Sequence, residues 1–122
     1  MNLYHFDLPF ALQEAGDGWE NKATVSAYED YARFCFETYG DLVDQWITFN
    51  EPIVPVEFGY FYDAHYPHKL DAEAAVKVAY HTQLASSRAV KACHELLPDS
   101  KIGIVLNLTP AYPRSQHPAD VK

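Results

Sequence analysis

The residues best suited to chemistry in this 122-residue chain lie in one hexapeptide, ITFNEP, at residues 47–52. Its first three residues favour a pleated strand, and Pro52 ends the strand because proline cannot donate to a ladder. Asn50 and Glu51 therefore fall at the carboxyl end of a strand, where parallel α/β folds hold their reactive groups. A carboxyl group held there can act as a general acid or base. Ordinary turn chemistry is the alternative, because Asn and Pro both favour turns, and the hexapeptide alone leaves both open.

Two further polar side chains fall near the ends of predicted strands. His5 lies in the short run Leu3–Asp7, which predicts a first strand. Asn107 lies near the end of Ile102–Leu108, whose nearly continuous apolar residues are typical of a parallel strand covered on both faces. Taken alone, His5 is better explained as a core histidine with a satisfied hydrogen bond. Together with the hexapeptide, the two residues predict a site where three strands end.

Two stretches with helical periodicity separate these strands. The first runs from about Thr24 to Tyr39 and ends at Gly40. The second runs from about Ala72 to Leu96, with Asp71 as its N-cap. The inner side of this second helix is predicted to carry Val76, Tyr80, Ser87 and Val90. Four alanines are predicted to allow its close approach to a sheet: Ala75, Ala79, Ala89 and Ala92.

Two loops complete the predicted elements. Residues 10–21 form the first, and about twenty residues rich in aromatic side chains form the second, after Pro52. Loops this long are usually functional or disordered, and the aromatic content argues against disorder. The second loop is interpreted as a wall of a ligand cleft, with packing among its rings as the alternative. The resulting order, β-α-β-α-β, predicts parallel strands joined by right-handed crossovers, an α/β fold.

The amino-acid composition argues against several classes of function. Hydrophobic residues make up 48% of the chain, which is enough for a packed core, but the net charge is −8. That charge argues against nucleic-acid binding, which needs a basic surface, and against attachment to an anionic membrane. No apolar run approaches the ~20 residues needed to cross a bilayer. The sequence contains no metal-ligand cluster and no nucleotide-binding loop, so neither a metal nor a cofactor is predicted.

The two cysteines and the N-terminal residues bear on the cellular compartment and on whether the domain is complete. Cys35 and Cys93 fall inside the predicted helices without C-x-x-C spacing, which indicates buried free thiols in a reducing cytoplasm. The N-terminus lacks the basic and apolar regions of a signal peptide. Because a strand begins almost at Met1, we expect residues 1–122 to be one incomplete domain, a fragment of a larger one.

These motifs resemble glycoside hydrolase family 1, which contains β-glucosidases and 6-phospho-β-glucosidases. The resemblance runs across essentially the whole chain. Its strongest matches are LYHFDLP at residues 3–9, GWEN at 18–21 and WITFNEP at 46–52, with weaker ones at Gly59-Tyr60, His81 and 101–104.

The resemblance implies a partial (β/α)₈ TIM barrel, covering about strands three to five with two helices, and a retaining β-glycosidase mechanism. Glu51 would be the catalytic acid/base, and Asn50 would hydrogen-bond the sugar 2-hydroxyl, a contact that strengthens in the transition state. His5 would bind another hydroxyl of the same sugar. The stretch Phe58–Tyr66 would flank the aglycone, with Asn107 near it.

Two departures from the family pattern bear on function. Phe6 stands where many β-glucosidases carry Trp and phospho-glycosidases often carry Phe, so the substrate is predicted to be a β-glucoside or a 6-phospho-β-glucoside. The second departure is that the family's Thr/Ser-Glu-Asn-Gly stretch, which supplies the nucleophile, does not occur in this chain. A barrel also needs about 250 residues.

We therefore expect the 122-residue chain alone to be inactive or nearly so. We also expect it to self-associate, because open sheet edges pair with other chains. The alternative function is a non-catalytic module that binds sugar or self-associates.

Overall fold

A computed structural model of the protein describes residues 1–121. Within these residues the backbone forms helices and strands with the following bounds: α1 Phe10–Gly16, a 3₁₀ helix Gly18–Glu20, α2 Lys22–Tyr39, β1 Gln45–Asn50, α3 Ile53–Tyr60, α4 Ala72–Leu96 and β2 Lys101–Val105.

Strands β1 and β2 pair in parallel, and helix α4 connects them, as the β-α-β order predicts. The predicted first strand is only partly formed. Asn2 makes a single parallel bridge to Ile47, and the amide of Asn50 donates to the carbonyl of Tyr4 at 2.9 Å. The prediction of a strand over Leu3–Asp7 was wrong beyond that point, because Phe6 has a positive φ of 72° that turns the chain out of the ladder.

Helix α4 has the predicted bounds, and its predicted N-cap is confirmed. The Asp71 carboxylate accepts hydrogen bonds from the amides of Glu73 and Ala74 at 3.0 and 3.1 Å. Such a cap satisfies two amides that the first turn leaves without a partner.

The predicted inner side of α4 was wrong for three of its four residues, whereas the predicted alanines Ala75, Ala89 and Ala92 are buried. Val76 and Tyr80 are 69% and 62% exposed, and Ser87 is exposed as well. Small residues form most of the buried face instead, because they let α4 approach α2 closely. The buried residues of α4 are Ala74, Ala75, Val78, Thr82, Ala85, Ser86, Ala89, Ala92 and Cys93.

Both predicted loops contain helices. Residues 10–21 include α1 and the 3₁₀ helix, and α3 begins directly after Pro52. A proline at a helix start loses nothing, because the first amides have no intrahelical partner. Pro9 and Pro52 therefore mark helix starts, and the loop that remains after α3 covers residues 61–71. Helix α2 likewise begins earlier than predicted, at Lys22, with the Asn21 side chain accepting from the Ala23 amide at 2.9 Å.

Much of the aromatic content lies in the core. The rings of Tyr4, Trp19 and Tyr28 surround Phe49, which is fully buried, with centroids 4.8–5.5 Å from its ring. Tilted and edge-on rings at such distances are favourable pairs. Because Phe49 immediately precedes Asn50, this aromatic cluster fixes the strand just before the polar dipeptide.

The far side of β2 is open in this chain. Its residues are exposed or half-buried, and Leu106 and Leu108 beyond it are 55% and 77% exposed. The expected strand over Ile102–Leu108, covered on both faces, was therefore wrong in extent and in cover, since within residues 1–121 only β1 pairs with β2. Across the same residues, no helix combines the length and the apolar character needed to cross a membrane.

Candidate active site

Glu51 lies at the tip of β1 and is fixed through its backbone on both sides. Its amide donates to the carbonyl of Val105 at 2.9 Å, and its own carbonyl accepts from the amide of Val54 at 2.9 Å. Its φ is 45°, in the left-handed region that non-glycine residues rarely adopt. Strained backbone of this kind persists only where surrounding contacts hold it. Glu51 as a residue is half-buried, and its backbone is held between β2 and the start of α3.

Asn107 lies beside this carboxylate. Its side-chain nitrogen Nδ2 donates to Oε2 of Glu51 at 3.4 Å, a long hydrogen bond from the segment that follows β2. The structure therefore brings together two residues that the sequence placed at the ends of separate strands, and it gives Asn107 a direct contact with Glu51.

Asn50 and His5 occupy the same end of the sheet. Asn50 pairs with Val105 of β2, and its amide donates to the carbonyl of Tyr4, the residue before His5. The His5 ring is exposed, and its Nδ1 lies 3.4 Å from Nδ2 of Asn2. Sequence reasoning missed the contact between Asn2 and His5, because two residues three positions apart in a short extended segment give no pattern that predicts it.

A row of packed aromatic side chains extends from His5 toward the loop after α3. The Phe6 ring meets His5 edge-on at 5.0 Å and His65 at 5.8 Å, and His65 lies 5.7 Å from Phe58. A cavity of about 330 Å³ opens beside this row, with Phe6 and His65 in its lining. The predicted wall formed by Phe58–Tyr66 thus reaches the neighbour of His5.

A charged cluster holds the loop of residues 61–71 in place. Lys69 contacts the carboxylate of Glu20 at 2.7 Å, and the Tyr60 hydroxyl donates to the same carboxylate at 3.0 Å. Burial, and then the bond to Glu20, raise the pKa of Tyr60, so its phenol stays protonated and remains a donor. The Glu20 hydrogen bond also raises the pKa of Lys69. Glu20, from the GWEN motif, therefore anchors the aromatic loop.

This arrangement suits proton transfer to and from a neutral, hydroxyl-rich ligand. One carboxyl group stands at a strand tip, an amide donor contacts it, and His5 and Asn50 lie at the same end of the sheet, with Phe6 packed edge-on against His5. Among residues 1–121, no group of three His, Cys, Asp or Glu side chains could hold a metal ion.

Two parallel strands joined by a helix, with polar residues at their carboxyl ends, are consistent with a segment of an α/β barrel, and the comparisons with known proteins identify the family. The sequence model of glycosyl hydrolase family 1 matches residues 1–122. The chain belongs to glycosyl hydrolase family 1, and the predicted family is confirmed.

Comparison with individual relatives shows what fraction of a full-length family member this chain covers. It is 62% identical over 122 residues to the 6-phospho-beta-glucosidase GmuD of Bacillus subtilis (strain 168), covering 100% of this chain and 26% of that protein. It superposes on a family 1 β-glucosidase of Thermotoga maritima with a TM-score of 0.91 at 40% identity, covering 98% of this chain and 27% of that one. The structure of the Thermotoga maritima enzyme in complex with glucoimidazole gives a TM-score of 0.92 at 41% identity. The chain spans about a quarter of the length of the curated relatives it matches, and the predicted fold class, a partial barrel, is confirmed.

Proposed function

We propose that residues 1–122 form one incomplete domain that supplies the acid/base side of a retaining β-glycosidase. Glu51 donates its proton to the glycosidic oxygen as that bond breaks, and later takes a proton from the water that attacks the sugar. The position of Glu51 at the strand tip, in contact with Asn107, is the observation that carries this proposal. The nucleophile would be a second carboxylate about 5–5.5 Å away, from a part of the protein outside this segment.

The neighbouring residues would bind the sugar and its leaving group. Asn50 hydrogen-bonds the 2-hydroxyl, and His5 binds another hydroxyl of the same ring. Phe58 and His65, whose rings lie 5.7 Å apart, would flank the aglycone. Aromatic rings suit this role because they offer apolar faces against which an aglycone can pack.

A phosphorylated sugar is the better substrate hypothesis. By the family resemblance, Phe is often found at the position of Phe6 in phospho-glycosidases, whereas many β-glucosidases carry Trp there. The 62% identity to the 6-phospho-beta-glucosidase GmuD supports the same assignment; a β-glucosidase of Thermotoga maritima and a 6-phospho-beta-glucosidase of Dickeya chrysanthemi are both more distant, at 40% and 37%.

Turnover of paired substrates tests the function and the sugar. The full-length protein that contains this chain is expected to hydrolyse 4-nitrophenyl β-glucoside 6-phosphate with kcat/KM about 10²-fold or more above that for the unphosphorylated glucoside, because a site built for a polar group discriminates strongly against its absence. Phe6→Trp is expected to narrow this ratio. A preference for the plain glucoside would make the protein a β-glucosidase, and turnover of neither substrate would refute the glycosidase proposal.

A reducing, cytoplasmic location fits the two cysteines. Cys35 and Cys93 are buried in α2 and α4, and both are free thiols. Burial raises the pKa of the Cys93 thiol, which keeps it protonated and unreactive. Proteins of oxidising compartments more often use such residues in disulfides, so we propose a cytoplasmic protein.

For the isolated chain, we propose self-association through the open edge of β2. Leu106 and Leu108 lie exposed next to that edge. Light scattering is expected to give a mass above the 13.9 kDa of one chain, rising with concentration. Leu106→Lys should lower that mass, and Val76→Lys, an equally polar change at an exposed position of α4, should not. A monomeric mass at every concentration would contradict the proposal.

A further inference from the structure

We infer that the hydroxyl of Thr48 is a positioning group for Glu51, and that it acts by fixing a bulge in β1 three residues before the carboxylate. This inference rests on the proposed acid/base role of Glu51. It concerns a side chain that does not touch the substrate and acts through the backbone.

Thr48 is fully buried and is tied to three different elements. Its Oγ1 lies 2.7 Å from Oγ of Ser86 in α4 and donates to the carbonyl of Gly103 in β2 at 3.2 Å. Its backbone carbonyl accepts from the Tyr28 hydroxyl of α2. Because a threonine hydroxyl carries one hydrogen, the bond to Gly103 makes Ser86 the donor to Thr48.

The same residue lies in an irregularity of the sheet. Ile47 pairs with Gly103, but Asn50 pairs with Val105, so that two residues of β1 lie opposite one residue of β2. This is a β-bulge, a feature that bends a strand and redirects the side chains that follow it. A shift of one residue moves every following side chain to the other face of a sheet. The bulge therefore determines which way Asn50 and Glu51 point.

The contacts of Thr48 explain how the bulge is held. A bulge disrupts the ladder locally, and the hydroxyl supplies a bond to the Gly103 carbonyl inside the core. Burial raises the pKa of Tyr28, so its phenol remains protonated and keeps donating to the Thr48 carbonyl. Beyond the bulge, Glu51 stands at a φ of 45° and relies on neighbouring contacts to stay there. Loss of the hydroxyl should let the strand tip relax and displace the carboxylate.

A displaced acid has a specific kinetic signature. Departure of a poor leaving group, such as methanol, needs a proton from Glu51, whereas dinitrophenolate leaves without one. The parameter kcat/KM reports the step in which the leaving group departs. A fault confined to the position of the acid therefore lowers kcat/KM for the methyl glycoside and spares that for the dinitrophenyl glycoside.

The test compares Thr48→Val, which removes only the hydroxyl, with Thr48→Ser, which keeps it, in the full-length protein. Misplacement by about 1 Å can cost about 10²-fold, so Thr48→Val should lower kcat/KM for the methyl glycoside to about that extent. The dinitrophenyl glycoside should change less than about threefold, as should both substrates in Thr48→Ser. Thr82→Val is the matched control: Thr82 is 1% exposed, and within residues 1–121 its hydroxyl bonds only to carbonyls of its own helix, α4. It should leave both substrates unchanged.

Hydrogen exchange of the Glu51 amide gives a readout independent of activity. This amide bonds to Val105 and should exchange faster in Thr48→Val than in the wild type or Thr82→Val. If Thr48→Val lowered kcat/KM equally for both glycosides, the hydroxyl would have a purely structural role and the inference would be wrong. It would also be wrong if neither kcat/KM nor the exchange rate of the Glu51 amide changed. If Thr48→Val does not fold, Ser86→Ala can replace it, because it removes the hydroxyl of α4 that donates to Thr48. Ser86→Ala should then lower kcat/KM selectively for the methyl glycoside, by a smaller factor than Thr48→Val. If the wild type hydrolyses neither glycoside, the proposed function fails, while the exchange rates still decide whether Thr48 holds the strand tip.

Discussion

Glu51→Gln is expected to lower kcat/KM of the full-length protein for a methyl glycoside of its substrate sugar by about 10²–10⁴-fold, the usual contribution of a general acid. Glutamine keeps the size of the side chain and can still accept the hydrogen bond from Asn107, but it has no proton to give to the departing oxygen. For the dinitrophenyl glycoside, kcat/KM should change little, because that leaving group needs no proton. Steady-state rates on both glycosides measure the difference.

The second half of the reaction gives an independent check of Glu51→Gln. Water needs the carboxylate as a base to attack the covalent glycosyl-enzyme. In the variant this step slows, so kcat and KM for the dinitrophenyl glycoside should fall together. Azide needs no base and should restore turnover, giving a β-glycosyl azide. Glu37→Gln, the same change at an exposed position of α2, should match the wild type. Equal loss on both glycosides without rescue by azide would contradict the assigned role.

Local sequence signals were reliable where the contacts they describe lie close together in the chain. The cap of α4 joins Asp71 to amides two and three residues away, and the predicted bounds of that helix are confirmed. The strand end predicted at Pro52 is confirmed, but the helix α3 that begins directly after it was missed, because proline is compatible with both a strand end and a helix start. On α4, the alanines predicted to pack closely are buried, but Val76 and Tyr80 were wrongly placed on the inner side because their hydropathy favours burial.

The site was predictable in its composition but not in its geometry. The residues alone left Asn50 and Glu51 open to a turn explanation, and only the family resemblance gave them roles. The bond from Asn107 to Glu51 spans 56 positions, and that from Ser86 to Thr48 spans 38. Neither spacing has a periodicity that a sequence pattern can reveal. The positive φ of Glu51 is equally hidden, because glutamate shows no preference for that conformation.

The 122-residue chain by itself is expected to show no turnover of β-glucosides or their 6-phosphates. Retaining hydrolysis needs two carboxylates on opposite sides of the anomeric carbon, and the motif that supplies the nucleophile in this family is not in the sequence. In other enzymes that use a nucleophile, its removal lowers kcat by on the order of 10⁶-fold. The open side of β2 would also leave a bound sugar half in water, which weakens every polar contact to it.

Side-by-side assays of the purified chain and the full-length protein on chromogenic substrates measure this loss. Exchange protection of the Glu51 amide in the same sample establishes that the strand tip has formed, so that inactivity reports missing chemistry rather than missing structure. The chain carrying Glu51→Gln separates true turnover from a contaminating enzyme, because contamination is insensitive to the substitution. Turnover by the wild-type chain that disappears in this variant would mean that residues 1–122 contain a complete mechanism, with a nucleophile other than the one the family uses.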